Sequence, residues 1–419
     1  MKNFIEKVVF LTVSILLGRF VNAILPFLIV NLYGSSKLTD FIFIAFSISF
    51  YFYGTLFNAF IESSVPKLIV ERELTDQKHN YIFSIASFSV TFIALYFYHN
   101  YVGVYFYLVI GFSFSGIAAC GILAVRRATL LAANEKYTLL NILWAFRALT
   151  IIVLFIFNDK PGTGLLLFAI ALLISDALRL FTINTCGQKY ENSTDIVISG
   201  ERFDSRIWLY ILASLILGLN PVIDRLIASY GVSGSITLLE LGERIYALLL
   251  TAMCAGFFGV ISVDMSKKIH KENISRYWQQ LLISGFSIGV IALGIAVLIG
   301  AAIKGYVGMR FLPKLNFDDL SLINDCLLIY SASIPAFILI GICTRLLLIK
   351  KGYLTLLNIA LISIVVNFTS SFFLFRMIGL TGIALGTTLC YSLMILIMLV
   401  KCKRIIVDLT ERKYDSIPE

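Results

Sequence analysis

Runs of roughly 20 mostly apolar residues recur from one end of this chain to the other, each long enough to cross the hydrocarbon of a bilayer. Backbone polar groups in lipid must find partners within the protein, so only helices and closed barrels can span it. The runs are continuously apolar instead of alternating, which favours helices. Twelve spans are read, near 8–32, 40–62, 81–98, 102–124, 138–157, 162–182, 206–230, 236–263, 279–303, 322–349, 353–375 and 381–400. Composition agrees: 59% of residues are hydrophobic and only 14% charged, too few charges for a water-soluble domain. The opening MKNFIEKVVFLTVSILLGRF has the outline of a signal peptide but no small-residue cleavage site, and it reads as span one.

Charge placement sets an expected orientation. Lys and Arg crowd into alternate loops, among them Lys67, Arg72, Arg126, Arg127, Lys189, Arg202, Lys267 and Lys350, and into both tails. The opposite loops hold few, such as Lys37, Lys160 and Arg310. By the positive-inside rule both termini are cytoplasmic, which an even number of spans satisfies. The net charge of +9 is therefore mostly topology with some attraction to anionic lipid heads, and gives no reason to invoke nucleic acid. There is no GxxxxGK[ST] phosphate loop, no CxxC pair, and no metal-binding spacing among His79, His99 and His270. No cofactor, metal or catalytic residue is expected.

A short repeat divides the chain. TLLNI stands at Thr138–Ile142 and again at Thr355–Ile359, 217 positions apart. An apolar helix follows each copy, and the next span opens with Thr163-Gly164 in one case and Thr381-Gly382 in the other. IVNLYGSSKLT from Ile29 likewise resembles LIASYGVSGSIT from Leu226. Three correspondences in one order indicate a six-helix unit used twice, with halves 1–195 and 196–419 joined by the polar stretch around Asn184–Ser205. Six spans per unit make the repeats parallel, an architecture that encloses a central cavity and permits alternating access.

Ionisable residues at membrane depth are costly and usually face a cavity or a partner. Span one carries Arg19 and Asn22 on one face, Asp40 opens span two and Glu62 ends it, and span five carries Arg147. Asp176 and Arg179 of span six read as a self-neutralising pair. Span seven carries Asn220, Asp224 and Arg225; span eight carries Glu240, Glu243 and Arg244, of which Glu240 and Arg244 stand one turn apart. The arginines suggest a cationic cavity for an anion, since guanidinium holds phosphate through paired hydrogen bonds. Tyr51, Phe52 and Tyr53 are candidates to stack on sugar faces, or ordinary packing.

Two stretches carry a family resemblance. GRFVNAILPFLIVNLYGSSKLTDFIFIAF, 18–46, resembles the first two spans of the MviN/MurJ-like lipid II flippases, with Arg19, Gly34, Asp40, Ala45 and Phe46 on their pattern. SGSITLLELGERIYALLL resembles their seventh-to-eighth-span region, where Glu243 and Arg244 match an acidic–Arg pair. The resemblance implies the fold of the MOP exporter superfamily (MATE-like), with two six-helix bundles around a cavity. It also implies a flippase and not an enzyme, located in the bacterial cytoplasmic membrane. Departures are Leu25 and Tyr53 where lipid II carriers have further cavity arginines, GVISVDMSKKI in place of a proline-containing helix end, and twelve spans instead of fourteen. They turn the expected cargo toward the Wzx-type polysaccharide flippases: a polyprenyl-diphosphate-linked saccharide, of O-antigen or capsule type or a murein precursor. Expected partners are that lipid, membrane lipids, and the glycosyltransferases and polymerase of its pathway. The expected site is Arg19, Asn22, Asp40, Arg147, Arg225, Glu240, Glu243 and Arg244, with arginines on the diphosphate and Glu243 holding Arg244. The alternative is a multidrug or cation antiporter of the same superfamily. An integral membrane enzyme would need a large extracytoplasmic loop, and none is read.

Overall fold

The fold is described from a computed structural model covering residues 13, 20–22, 24–57, 59–61, 73–74, 77–98, 102–134, 136–191, 197–198, 207–268 and 274–414. The expected class is the observed one, an all-α polytopic membrane protein, and the described residues of the twelve predicted spans are almost all helical. Among the described residues eight helices are long and apolar enough to cross a bilayer, and three shorter apolar ones run over Phe20–Tyr33, Asn80–Tyr96 and Leu143–Ile156.

The first half comprises α1 (Phe20–Tyr33), α2 (Lys37–Phe50) with a π-helical continuation over Tyr51–Leu56, β1 (Glu73–Leu74), α3 (Gln77–Tyr96), α4 (Val104–Leu123), α5 (Val125–Ala133), α6 (Tyr137–Ile142), α7 (Ala148–Ile156) and α8 (Pro161–Glu191). After β2 (Val197–Ile198), the second half comprises α9 (Ile207–Gly218), α10 (Asn220–Ala228), α11 (Ser235–Lys268), α12 (Ile274–Lys304), α13 (Tyr306–Phe311), α14 (Phe317–Ala332), α15 (Ile334–Ile349), α16 (Tyr353–Ile378) and α17 (Leu380–Tyr414). Local chemistry sets the breaks. Ser36 and Thr39 form a capping box that starts α2, and Asn316 with Asp319 does the same for α14. Pro221 and Pro335 sit in the first turns of α10 and α15, where a missing N–H costs nothing, and divide spans seven and ten into two segments each.

The repeat has a structural counterpart. A Cβ on Gly164 would lie 2.9 Å from the Phe157 carbonyl oxygen, and one on Gly382 would lie 2.3 Å from that of Leu374. In both halves the Thr-Gly pair therefore lets the last helix press against the end of the helix before it.

Packing follows the rules of a lipid solvent. Beyond Ile274, Trp278 and Leu281 the buried face of α12 is made of small residues, Gly285, Gly289, Ala292, Ala296 and Gly300, so that neighbouring helices approach closely. A Cβ at Gly289 would lie 2.5 Å from Pro335. Large apolar side chains point outward instead, with Ile283 and Leu298 67% and 72% exposed.

Candidate functional site

The fifth span is where the first half departs from a plain helix. Between α6 and α7 the chain tightens into a 3-10 turn over Leu143–Arg147. This turn brings Arg147 and Trp144 inward, both buried. Arg147 donates from Nη1 to Asn22 Oδ1 at 2.7 Å and from Nη2 to Asp176 Oδ2 at 2.6 Å. Its guanidinium also lies 4.5 Å from the Phe50 ring centre and 4.4 Å from that of Trp144. Arg179 covers the other ring contacts, 3.8 Å from Trp144 and 5.3 Å from Tyr53, and stands 4.0 Å from Asp176. The expected self-neutralising pair of span six is thus corrected: Asp176 bonds chiefly to Arg147, because the broken fifth span carries that arginine up against α8.

The second half builds a different cluster. Arg225 on α10 donates from Nε to Glu240 Oε2 at 2.8 Å and from Nη1 to the Pro221 carbonyl at 2.7 Å, and its Nη2 also reaches Glu240. The same Nη2 lies 2.7 Å from Glu243 Oε2. Arg244 donates to Glu240 from the following turn. Glu240 is completely buried, whereas the Arg244 side chain is 29% exposed. The expectation that Glu243 holds Arg244 is therefore corrected. Arg225 takes Glu243, and Glu240 takes Arg244, since residues four apart share a helix face and adjacent ones do not.

Asp40 lies elsewhere, buried, as a clamp between the halves. Its carboxylate accepts from the Gly234 amide at 2.8 Å, the Thr237 amide at 2.9 Å and the Thr237 hydroxyl at 2.7 Å. It acts as an N-cap for α11 supplied by another helix, satisfying amides that a helix start leaves unpaired. Gly234 has φ +94° and a built Cβ would sit 3.0 Å from Ser35, so only glycine fits this approach. Lys314, which donates to the Leu32 carbonyl, joins the halves at the same end. Deeper in the bundle, Tyr51 joins them through its hydroxyl bond to the Leu215 carbonyl at 2.9 Å.

Sequence reasoning left a third cluster out of the site. Asp224 on α10 accepts from Asn367 Nδ2 at 3.0 Å and from the Thr387 hydroxyl at 2.8 Å, both buried. Asn220 donates to Ser363 at 3.1 Å one turn away. Among the described residues Asp224 makes no ion pair within 4.0 Å. The signal was available as spacing: Asn220 and Asp224, and Ser363, Asn367 and Ser371, recur every four residues along otherwise apolar helices. No group of three or more His, Cys, Asp or Glu that could hold a metal occurs among the described residues.

Of the eight expected site residues, the structure brings Asn22 to Arg147, joins Arg225, Glu240, Glu243 and Arg244, and sets Asp40 apart at the clamp. Arg19 and the span-two Glu62 lie outside the described residues. Chemically, the first cluster gathers two guanidinium groups around Asp176 and two aromatic rings, and the second sets Arg225 and Arg244 against Glu240 and Glu243.

Known proteins give this geometry a context. A family model described as "Lipid II flippase MurJ" matches residues 123–414. A curated relative, the "Probable lipid II flippase MurJ" of Rickettsia prowazekii (strain Madrid E), is 24% identical over 229 residues. That match takes in 53% of this chain and 45% of the relative, so the chain spans about half of that protein's length. In fold, a lipid II flippase MurJ in an inward closed conformation superposes with a TM-score of 0.71 at 17% identity, over all of this chain and 94% of the other. A MATE transporter in complex with MaL6 gives 0.68 at 13%, over 97% of each chain.

Proposed function

Because the chain belongs to the lipid II flippase MurJ family, we propose that it carries a polyprenyl-diphosphate-linked saccharide from the inner to the outer leaflet of the bacterial cytoplasmic membrane. The observation that carries this reading is the pair of buried guanidinium groups, Arg147 and Arg179, gathered beside Asp176 where the fifth span is broken. A diphosphate cannot cross hydrocarbon unaided, because each unpaired polar group costs several kcal/mol there. Guanidinium groups held by aromatic faces and one carboxylate keep their donors aimed and their charge permanent. Arg147 Nε, buried, has no acceptor of its own among the described residues and would be free to donate once the halves open.

In this reading Arg147, Arg244 and, from span one, Arg19 hold the diphosphate, Asn22 and Asp176 orient Arg147, and Glu240 and Glu243 hold Arg225 and Arg244. Both termini are cytoplasmic, and the halves 1–195 and 196–419 rock about the Asp40 clamp. A negative interior potential favours outward movement of an anion by about 2.3 kcal/mol per charge per 100 mV. The cargo is an O-antigen or capsule-type repeat unit or a murein precursor, delivered by glycosyltransferases and consumed by a polymerase.

An ion-coupled element has its own support. Asp40, Glu240 and Glu243 are all committed to protein partners. Asp224 has only neutral donors, and a buried carboxylate in that position takes a proton or a small cation. The antiporter alternative would use the same group. Mass spectrometry of polyprenyl-linked saccharides in cells depleted of this protein separates the readings. Accumulation of one intermediate supports the flippase and identifies its cargo, and unchanged pools sink it.

A further inference from the structure

A cavity of about 760 Å³ opens sideways on the seam between the halves, within the size range of ligand sites. One wall is Ile48, Tyr51 and Phe52 of α2 with Val90 and Phe97 at the end of α3, and the other includes Leu226 on α10. Val90, Phe97 and Leu226 are exposed on the same large apolar surface that covers the rest of the bundle. The medium around that surface is lipid, so hydrocarbon fills this groove.

The groove does not end in hydrocarbon. At Ser229 it meets a second, polar cavity of about 300 Å³, lined by Lys37, Asp40, Ser229 and Ser233. Lys37 is exposed, and among the described residues it makes no ion pair. Its neighbour Asp40 is spent on the amides of α11. An apolar trough thus runs into a pocket with an exposed ammonium that no carboxylate of the described residues contacts directly and with serine hydroxyls, at the end of the bundle carrying the α1–α2 and α10–α11 turns. On the sidedness proposed above this is the extracytoplasmic end. The matching shape is an amphiphile with a singly charged phosphate head and a long chain.

We propose that the groove between α2, α3 and α10 is a binding site for an anionic phospholipid of the outer leaflet. Its chain lies along Phe52, Phe97 and Leu226 and its phosphate at Lys37. The lipid touches both halves beside the Asp40 clamp and so bridges the seam. Nothing in this depends on what the protein carries.

The test uses the full chain in vesicles doped with one of three probes bearing a diazirine in the chain: phosphatidylglycerol, phosphatidylcholine or a polyprenyl phosphate. Labelled peptides are located by mass spectrometry. One lysine near a membrane surface should favour phosphatidylglycerol over phosphatidylcholine by about fivefold at segments 90–98 and 219–230. Lys37→Gln should bring that ratio to unity, and Leu226→Trp, which fills the groove from an exposed position, should remove labelling with either lipid. Val222→Phe serves as a second filler if Leu226→Trp lowers the unfolding temperature. Equal labelling by the two phospholipids, or labelling that survives a folded filler variant, would mean ordinary surrounding lipid and overturn the site. Preferential labelling by the polyprenyl phosphate would assign the groove to cargo and overturn the committed ligand.

Discussion

The fifth and eleventh spans begin with the same five residues and end as different devices. After Thr138–Ile142 the helix tightens into a 3-10 turn and delivers Arg147 to Asp176 and two aromatic rings. After Thr355–Ile359 the helix α16 runs unbroken for 26 residues and presents Ser363, Asn367 and Ser371 to Asp224 and its neighbours. The shared start keeps the two bundles in register, while the interiors have diverged. One half gathers guanidinium groups on aromatic rings, the other holds a carboxylate that among the described residues has only neutral donors. On the proposed function, such a scaffold addresses an anion from one side and a proton or cation from the other.

The sharpest way to break this contrast is to remove the carboxylates. Glu240 holds two arginines at complete burial, so Glu240→Ala should cost about 3–5 kcal/mol, the range for breaking a buried pair. Asp176→Ala should cost less, because Arg147 keeps Asn22 and its rings. Thermal unfolding of the two purified variants makes the comparison, and equal losses would erase the difference between the clusters. Next in size is Arg244→Ala, which removes a part-exposed side chain; transport should fall by roughly 10- to 100-fold, the worth of charge-assisted hydrogen bonds. Membrane protein levels should hold, and intact transport would take Arg244 out of the site. Asp224→Asn keeps the shape and removes the charge; accumulation assays under an imposed proton or sodium gradient should lose their gradient dependence, whereas Arg147→Lys should retain it. Smallest is Asp40→Ala, about 1 kcal/mol for a lost cap. It should raise labelling of a Ser35→Cys variant by an impermeant maleimide, and unchanged labelling would mean the clamp does not hold that end shut.

Much of this was legible beforehand for a physical reason. Lipid permits few folds, so length and apolarity gave the all-helical class and eight span-length helices among the described residues, and burial of Arg147, Arg225 and Glu240 followed from the cost of charge in hydrocarbon. Pairing was harder to read. Spacing along one helix found Glu240 with Arg244, but Asp176 with Arg147 and Asp40 with Gly234 join residues far apart in sequence. Neutral polar residues escaped altogether: Asn367 and Thr387 carry no charge to mark them, and their importance appears only when α16 and α17 bring them to Asp224.

One modest contact limits the whole machine. The two-residue strand β2, in the segment that joins the halves, pairs in parallel with β1, Glu73 to Val197 and Leu74 to Ile198. Unpinned, the sixteen steps from Glu191 to Ile207 could stretch to roughly 55 Å at the limit of about 3.3–3.6 Å per residue. Pinned at Ile198, only nine steps remain before α9, a leash of roughly 30 Å. On the proposed rocking of the halves, the ladder would work as a stop on travel: motion at that end must either fit within the shorter leash or first unzip two residues of strand.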